Sequence, residues 1–308
     1  MTSSPTPTAA VYGAPPRELA ERERAAVQVS PLVPGAAALE DFAPGSLSEV
    51  VMLAPPGTVE RRYAVALALR ALAPGAALTV MAPKDRGGSR LKKELEAFGC
   101  AVDETAKRHH RICVAERPAA PVGLDGAVAD GAPRRVEALQ LWSQPGVFSW
   151  DRIDPGTALL LKQLPALAGK GADLGCGVGV LARAVLAAPG VTRLDLIDND
   201  RRAVDAARRN IDDPRAAIAW ADATGDAVPL EGLDFVVMNP PFHDGGTEDK
   251  ALGQRFIQRA HQALRKGGTL WLVANMHLPY EPILTPLFAK VERRADGGGG
   301  YKVFEARK

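Results

Sequence analysis

This sequence predicts an α/β protein of two tandem units, each wrapped around a mostly parallel sheet. Three observations carry that expectation. Apolar runs of four to six residues alternate with amphipathic stretches, the pattern of strand–helix–strand units. Glycine and proline punctuate the changeovers. The second half also repeats the first half's order of elements. SEVVMLAPPGT is echoed by DFVVMNPPFHD, RALAPGAALTVMAPK by QALRKGGTLWLVANMH, and ICVAERP by KVFEARK. Each time the order is strand, proline corner, helix, glycine turn, strand.

Taken from the N-terminus, MTSSPTPTAAVYGAPP is rich in Pro and Ser and reads as a frayed tail, with neither the basic nor the apolar region of a secretory leader. Strands are expected at Glu49–Leu53 and Leu78–Met81. Between Arg117 and Pro133 the chain turns to Ala, Pro, Gly and Asp, which sets the boundary between one domain at 1–133 and a second at 134–308. Further strands are expected at Arg193–Ile197, Phe235–Met238 and Leu270–Val273, and a helix at Val180–Ala188. Another helix should follow, capped by Asn199 or Asp200, because Ala203, Val204, Ala207 and Ile211 recur at helical spacing.

At 308 residues and 46% hydrophobic, the chain can bury two cores. A net charge of +2 means that a polyanion would have to be met by a local patch. Cys100, Cys113 and Cys176 stand far apart, without C-x-x-C or histidines at metal spacing. Neither disulfides nor a metal is expected, and the compartment reads as reducing. No run approaches the ~18 apolar residues of a membrane helix. The expectation is a soluble cytoplasmic monomer.

Chemistry gathers in the second half. In GADLGCGVGVLARAVL a short strand ends at Asp173, and Gly175, Gly177 and Gly179 make a loop that opens a helix. Glycines let a ligand approach the backbone, and the helix start offers free N–H groups. A dinucleotide fold wants a third glycine three residues after the second. Here Val180 stands there, and D-x-G-x-G-x-G resembles instead the loop of S-adenosylmethionine-dependent methyltransferases. Asp198 closes the next strand, 21 residues beyond Gly177, at the spacing of an acid that accepts from ribose hydroxyls. After a further strand Asp222 is placed to accept from an adenine amino group, with Ala223 offering its N–H.

The fourth strand of this half delivers Asn239 to the same sheet edge. Pro240 and Pro241 have fixed φ and no N–H, so the corner is stiff and presents acceptors without neighbouring donors. Asn239 Oδ1 and the Pro240 carbonyl can together grip the two hydrogens of an amino group, while Phe242 offers a face to a planar base. Such an amine attacks an electrophile poorly until its lone pair is localised. The two acceptors achieve that and stabilise the positive charge that develops on nitrogen. His243 follows in an exposed loop without an assigned role, and GGTEDK beyond it reads as a lid. In the first half Leu53 stands where Asn239 does, and no glycine fingerprint precedes it. That copy should not be catalytic.

NPPFHDG, VANMHLPYEPIL, GGYKVFEA and QPGVFSWDRIDPGTALLL together resemble bacterial ribosomal RNA guanine-N2 methyltransferases, the small-subunit (16S) type most closely and its large-subunit relative next. The resemblance covers the whole chain. It implies two tandem Rossmann-like methyltransferase domains, the N-terminal one degenerate and the C-terminal one carrying the active site. It also implies guanine as the base, and ribosomal RNA or a ribosomal subunit as partner. The residues alone give only an amine on a planar group. They leave open a large-subunit guanine, adenine N6 of DNA, a protein glutamine, or a non-catalytic RNA-binding assembly factor, although the intact acid, glycine and Asn239 set opposes the last. One departure is that the N-terminal half is short. Within it, Lys84 to Cys113 holds eight Lys or Arg against five acids, and Lys84, Arg86, Arg90, Lys107, Arg108 and Arg111 are the candidate phosphate contacts.

Overall fold

The computed structural model describes residues 8–20, 26–241, 243–244, 247–248, 250–297 and 300–308, and the chain divides into two units, Met1–Ala132 and Pro133–Lys308. In the first unit, β1 (Thr8–Tyr12), β2 (Val27–Gln28), β3 (Leu47–Leu53), β4 (Leu72–Pro83), β5 (Val102–Lys107) and β6 (His110–Glu116) form one sheet in the order β2-β1-β3-β4-β6-β5. The first four strands are parallel, β6 runs antiparallel to β4, and β5 runs antiparallel to β6. Helices α1 (Thr58–Ala71), α2 (Leu91–Glu96) and α3 (Leu124–Gly131) belong to this unit. Tyr63 to Leu69 on α1 are all buried, so this helix is apolar nearly all round.

The stretch read as a frayed tail is in part a central strand. Ala9, Ala10, Val11 and Tyr12 are buried, and β1 pairs with both β2 and β3. A parallel strand buried on both faces needs no polar alternation, so four apolar residues behind a Pro- and Thr-rich start gave no periodic signal.

The second unit begins with a small hairpin, β7 (Arg134–Val136) and β8 (Leu141–Ser143), and continues through α4 (Pro155–Gln163), β9 (Gly169–Leu174), α5 (Val180–Leu186), β10 (Val191–Asp198), α6 (Arg201–Asn210), β11 (Ala216–Trp220) and β12 (Leu233–Met238). A two-residue pair, β13 (His243–Asp244) with β14 (Thr247–Glu248), leads to α7 (Lys250–Ala263), β15 (Leu264–Asn275), α8 (Glu281–Leu287), β16 (Lys290–Gly297) and β17 (Tyr301–Arg307). Its main sheet runs β11-β10-β9-β12-β15-β17-β16. One face packs Met238 and Leu272 with Phe256 and Ile257 of α7, and the other packs Val237 and Val273 with Leu160 of α4 and Leu181 of α5. The strand order reverses between β9 and β12, and open α/β sheets bind ligands beyond the strand ends at such a point.

The two units share the order of six strands. Val50–Leu53 pair with Leu78–Met81, as Val236–Met238 pair with Leu270–Leu272. Leu47 pairs with Leu72 and Leu233 with Leu264, each immediately after a helix of 14 residues. The first sheet has six strands against seven, and among the described residues it lacks a counterpart of β11. There lies the shortness of the N-terminal half.

Candidate functional site

Four parallel strands of the second unit end side by side, and each delivers a polar residue to that edge. After β9 the chain turns through Gly175, Gly177 and Gly179 at φ 76°, 53° and 90°. Side chains rarely adopt this left-handed backbone, so glycine is required. A Cβ added at Gly177 would meet nothing within 4 Å, leaving its backbone open to a ligand. A Cβ on Gly175 would lie 3.6 Å from the Phe256 ring and 3.9 Å from Pro241, so the loop abuts the proline corner.

Asp173 ends β9 completely buried, and neither of its oxygens has a hydrogen bond of good geometry. Burial, and next the charge of Asp198, push its carboxyl up to about 8, with the nearby Ala182 N–H only partly opposing them. A buried acid without a partner is a site prepared for a cation. Asp198 is half-buried, and burial holds it up at about 6 against the N–H groups that it accepts. Its Oδ2 accepts from Gly177 N at 2.8 Å and its Oδ1 from Asp200 N at 2.9 Å. It therefore braces the glycine loop. Asp200, of the two expected candidates, caps α6, accepting from Arg202 N at 3.0 Å. Asp222 is exposed, and its Oδ1 accepts from both the N–H and the hydroxyl of Thr224, which makes it a turn residue as well as a candidate acceptor. Ala223 is buried beside it.

Asn239 follows β12, partly buried, with Pro240 buried and Pro241 exposed. Its Nδ2 donates to Asp154 Oδ2 and to Thr157 Oγ1, both at 2.9 Å, so its Oδ1 is the end left for a ligand. Asp154 and Thr157 were not singled out from the sequence. They begin α4, 85 and 82 residues before Asn239, and their local pattern of Asp, Pro and then Thr reads only as a helix start. Phe242, the side chain of His243, and Gly245, Gly246 and Asp249 of GGTEDK lie outside the described residues.

The matching edge of the first unit is filled by its own side chain. Arg61 is fully buried, and its Nη1 donates to the carbonyls of Pro55 (3.2 Å) and Pro56 (2.7 Å). Glu94 pairs with it through two bonds of 2.7 Å. Arg61 is the fourth residue of α1, and the fourth residue of α7 is Gly253. The first unit has plugged its proline corner with a guanidinium, whereas in the second a Cβ at Gly253 would run into the Tyr280 hydroxyl. With Leu53 at the Asn239 position and Gly13 alone after β1, that edge lacks both halves of the site.

The basic residues of this unit do converge. Lys107 pairs with His110 across a two-residue turn, Arg108 and His109, whose φ values are 47° and 60°. Lys84 N–H donates to His109 O at 2.8 Å, which sets Lys84 beside that turn. Lys84, Arg90, Lys107 and Arg108 are exposed, while Arg86 and Arg111 are half-buried. Glu18 accepts from Arg108 at 2.5 Å, and Glu104 faces Arg111 at 3.5 Å.

Among the described residues no cluster of His, Cys, Asp or Glu could hold a metal ion, and no helix is long and apolar enough to cross a membrane. All three cysteines are buried and unpaired. Residues 138–305 match the family model of the methyltransferase small domain. Ribosomal RNA small subunit methyltransferase C of Pseudomonas aeruginosa (strain LESB58) is 33% identical over 293 residues, covering 91% of this chain and 86% of that one. Its namesake from Shewanella loihica is 31% identical over 266 residues, covering 84% and 77%. Among solved structures, the 16S rRNA N2 methyltransferase of T. thermophilus, in complex with AdoMet and guanosine, superposes with a TM-score of 0.78 at 24% identity, covering 100% of this chain and 90% of that one.

Proposed function

The chain belongs to the ribosomal RNA small subunit methyltransferase C family, and we propose that its second unit methylates the exocyclic N2 of a guanine in small-subunit ribosomal RNA, with S-adenosylmethionine as donor. The observation that carries this reading is the orientation of Asn239. Its Nδ2 is taken up by Asp154 and Thr157, which leaves Oδ1 as an acceptor beside a glycine loop and an unpartnered buried acid.

The residues fit the cofactor. S-adenosylmethionine, when bound, supplies a methyl group made electrophilic by its sulfonium. Asp173, whose buried carboxyl has no hydrogen-bond partner of its own, would ionise and pair with an ammonium group. Asp198 would accept hydrogen bonds from ribose hydroxyls while bracing Gly177. Gly175, Gly177 and Gly179 let the ligand lie against backbone, Ala223 supplies an N–H, and Asp222 accepts from an amino group. At the corner, Asn239 Oδ1 and the Pro240 carbonyl accept the two N–H groups of guanine N2 and localise its lone pair, and Phe242 stacks on the base. Positive charge builds on that nitrogen during attack, and both oxygens stabilise it where it develops. The surplus proton then leaves to water, so no side chain needs a base's pKa.

For the first unit we infer a role in docking RNA, through Lys84, Arg86, Arg90 and the turn at Lys107–Arg111. Two successive non-glycine residues with positive φ cost of order 1–3 kcal/mol each, and such strain persists where the side chains it displays have a use. The remaining inferences are a monomer acting in the cytoplasm, divided functionally near residue 133.

The test is transfer of labelled methyl from S-adenosylmethionine to RNA and small subunits from a strain lacking the enzyme, followed by nucleoside analysis. N2-methylguanosine in 16S RNA is expected. Label on another nucleoside, on protein only, or nowhere contradicts the proposal.

A further inference from the structure

Asn239 is held by two residues outside the cofactor loop, and their chemistry dictates which way its amide points. Turning the amide over would press Oδ1 against the carboxylate of Asp154, acceptor against acceptor, at a distance that is now 2.9 Å. Asp154 and Thr157 are both buried, so water could not relieve that conflict. Asp154 is itself fixed. Its Oδ2 also accepts from Thr157 N at 2.8 Å, capping α4. Burial, and next the charge of Asp154, raise the Tyr301 phenol of β17 above its usual range. Gly156 permits this closeness, since a Cβ there would lie 2.8 Å from the Tyr301 ring and 2.9 Å from Asp154 Oδ2.

We propose that Asp154, with Thr157, is a positioning residue for methyl transfer that locks the Asn239 amide with Oδ1 toward the amine. The proposal rests on the role given to Asn239 above. An unclamped amide would spend part of its time presenting N–H to N–H, which repels the amine. The carboxylate also draws on the amide's N–H, which enriches Oδ1 in charge and makes it a better acceptor as the nitrogen turns positive.

Three variants separate positioning from helix capping. Asp154→Ser keeps a good cap for α4, but its short side chain does not reach Asn239. Asp154→Asn keeps an oxygen in the Oδ2 position. Thr157→Val removes the second acceptor with little change of shape. Single-turnover transfer is measured at saturating S-adenosylmethionine and small-subunit RNA, with both affinities determined separately. Asp154→Ser should transfer ~10–100-fold more slowly at unchanged affinities, as expected for loss of a charge-assisted bond, and Asp154→Asn, which keeps an acceptor but not its charge, should be slowed several-fold less than Asp154→Ser. In an Asn239→Ala background, Asp154→Ser should slow transfer no further, because its only route is through Asn239. A wild-type rate for Asp154→Ser, or an additive loss in the double mutant, overturns the proposal. If Asp154→Ser does not fold, Thr157→Val decides, and a wild-type rate there overturns it equally. Asn239→Ala transferring at a near-wild-type rate would instead sink the role of the corner itself, and this proposal with it.

Discussion

Replacing Asp173 by Asn should make the ligand-free protein more stable at pH 8 while costing it the cofactor. Asp173 is completely buried without a hydrogen-bond partner, and its carboxyl sits at about 8 against an ordinary 3.8. The folded state thus holds a proton that the unfolded chain has released, and between roughly pH 4 and pH 8 stability falls as pH rises. Holding the carboxyl at about 8 instead of 3.8 sets a ceiling on the order of 5 kcal/mol for the loss at pH 8, at about 1.4 kcal/mol per pH unit. Local relaxation will reduce it. Asn has nearly the same shape and no charge, so the loss disappears. With ~2–4 °C per kcal/mol for a unit of this size, the variant should melt several degrees higher at pH 8 and match wild type near pH 4. The assay is thermal melting from pH 4 to 8 with and without S-adenosylmethionine. Wild type should gain from the cofactor, most at high pH where the acid ionises readily, and Asp173→Asn should gain little. Parallel melting curves across the pH range, or a cofactor response retained in the variant, would refute the reasoning.

Other perturbations follow from the same geometry. Asp198→Ala should weaken S-adenosylmethionine binding by about one to two decades by calorimetry, since charge-assisted bonds are worth ~1.5–3 kcal/mol. An unchanged affinity in the folded variant removes Asp198 from the ribose site. Arg61→Met leaves Glu94 buried without its partner and should destabilise the first unit by ~3–5 kcal/mol in denaturant melts, with cofactor affinity unmoved. A stable variant would show that the plug contributes nothing. Reversing charge at Lys84, Lys107 and Arg108 should lower RNA affinity and flatten its salt dependence by about one unit of log–log slope per lost phosphate contact. Parallel slopes at equal affinity would make the first unit a structural relic.

What the sequence disclosed is what is local along the chain. The Gly175–Gly179 loop and the Asn239 corner each occupy a few consecutive residues, so their spacing alone exposed them. The strands Leu47–Leu53 and Leu233–Met238 announced themselves as apolar runs closed by proline. Contacts between distant segments left no such trace. Asp154 meets Asn239 across 85 residues, and Arg61 meets Glu94 across 33. In the sequence Asp154 is only a helix cap, and Arg61 and Glu94 are ordinary charged positions. The basic turn was hidden for another reason: positive φ at Arg108 and His109 is normally signalled by Asn or Gly, and neither is there. Strand Thr8–Tyr12 was missed because a short buried run carries no period.

The central claim is that the Asn239 amide oxygen acts on the reacting amine. Its most direct test is single-turnover methyl transfer by Asn239→Ala, with cofactor and RNA both saturating and their affinities measured alongside. Removing one acceptor that stabilises developing charge should slow transfer by about 10²–10³ while leaving S-adenosylmethionine affinity within a small factor of wild type. A rate within a factor of about two or three of wild type, or a loss confined to cofactor binding, would contradict it.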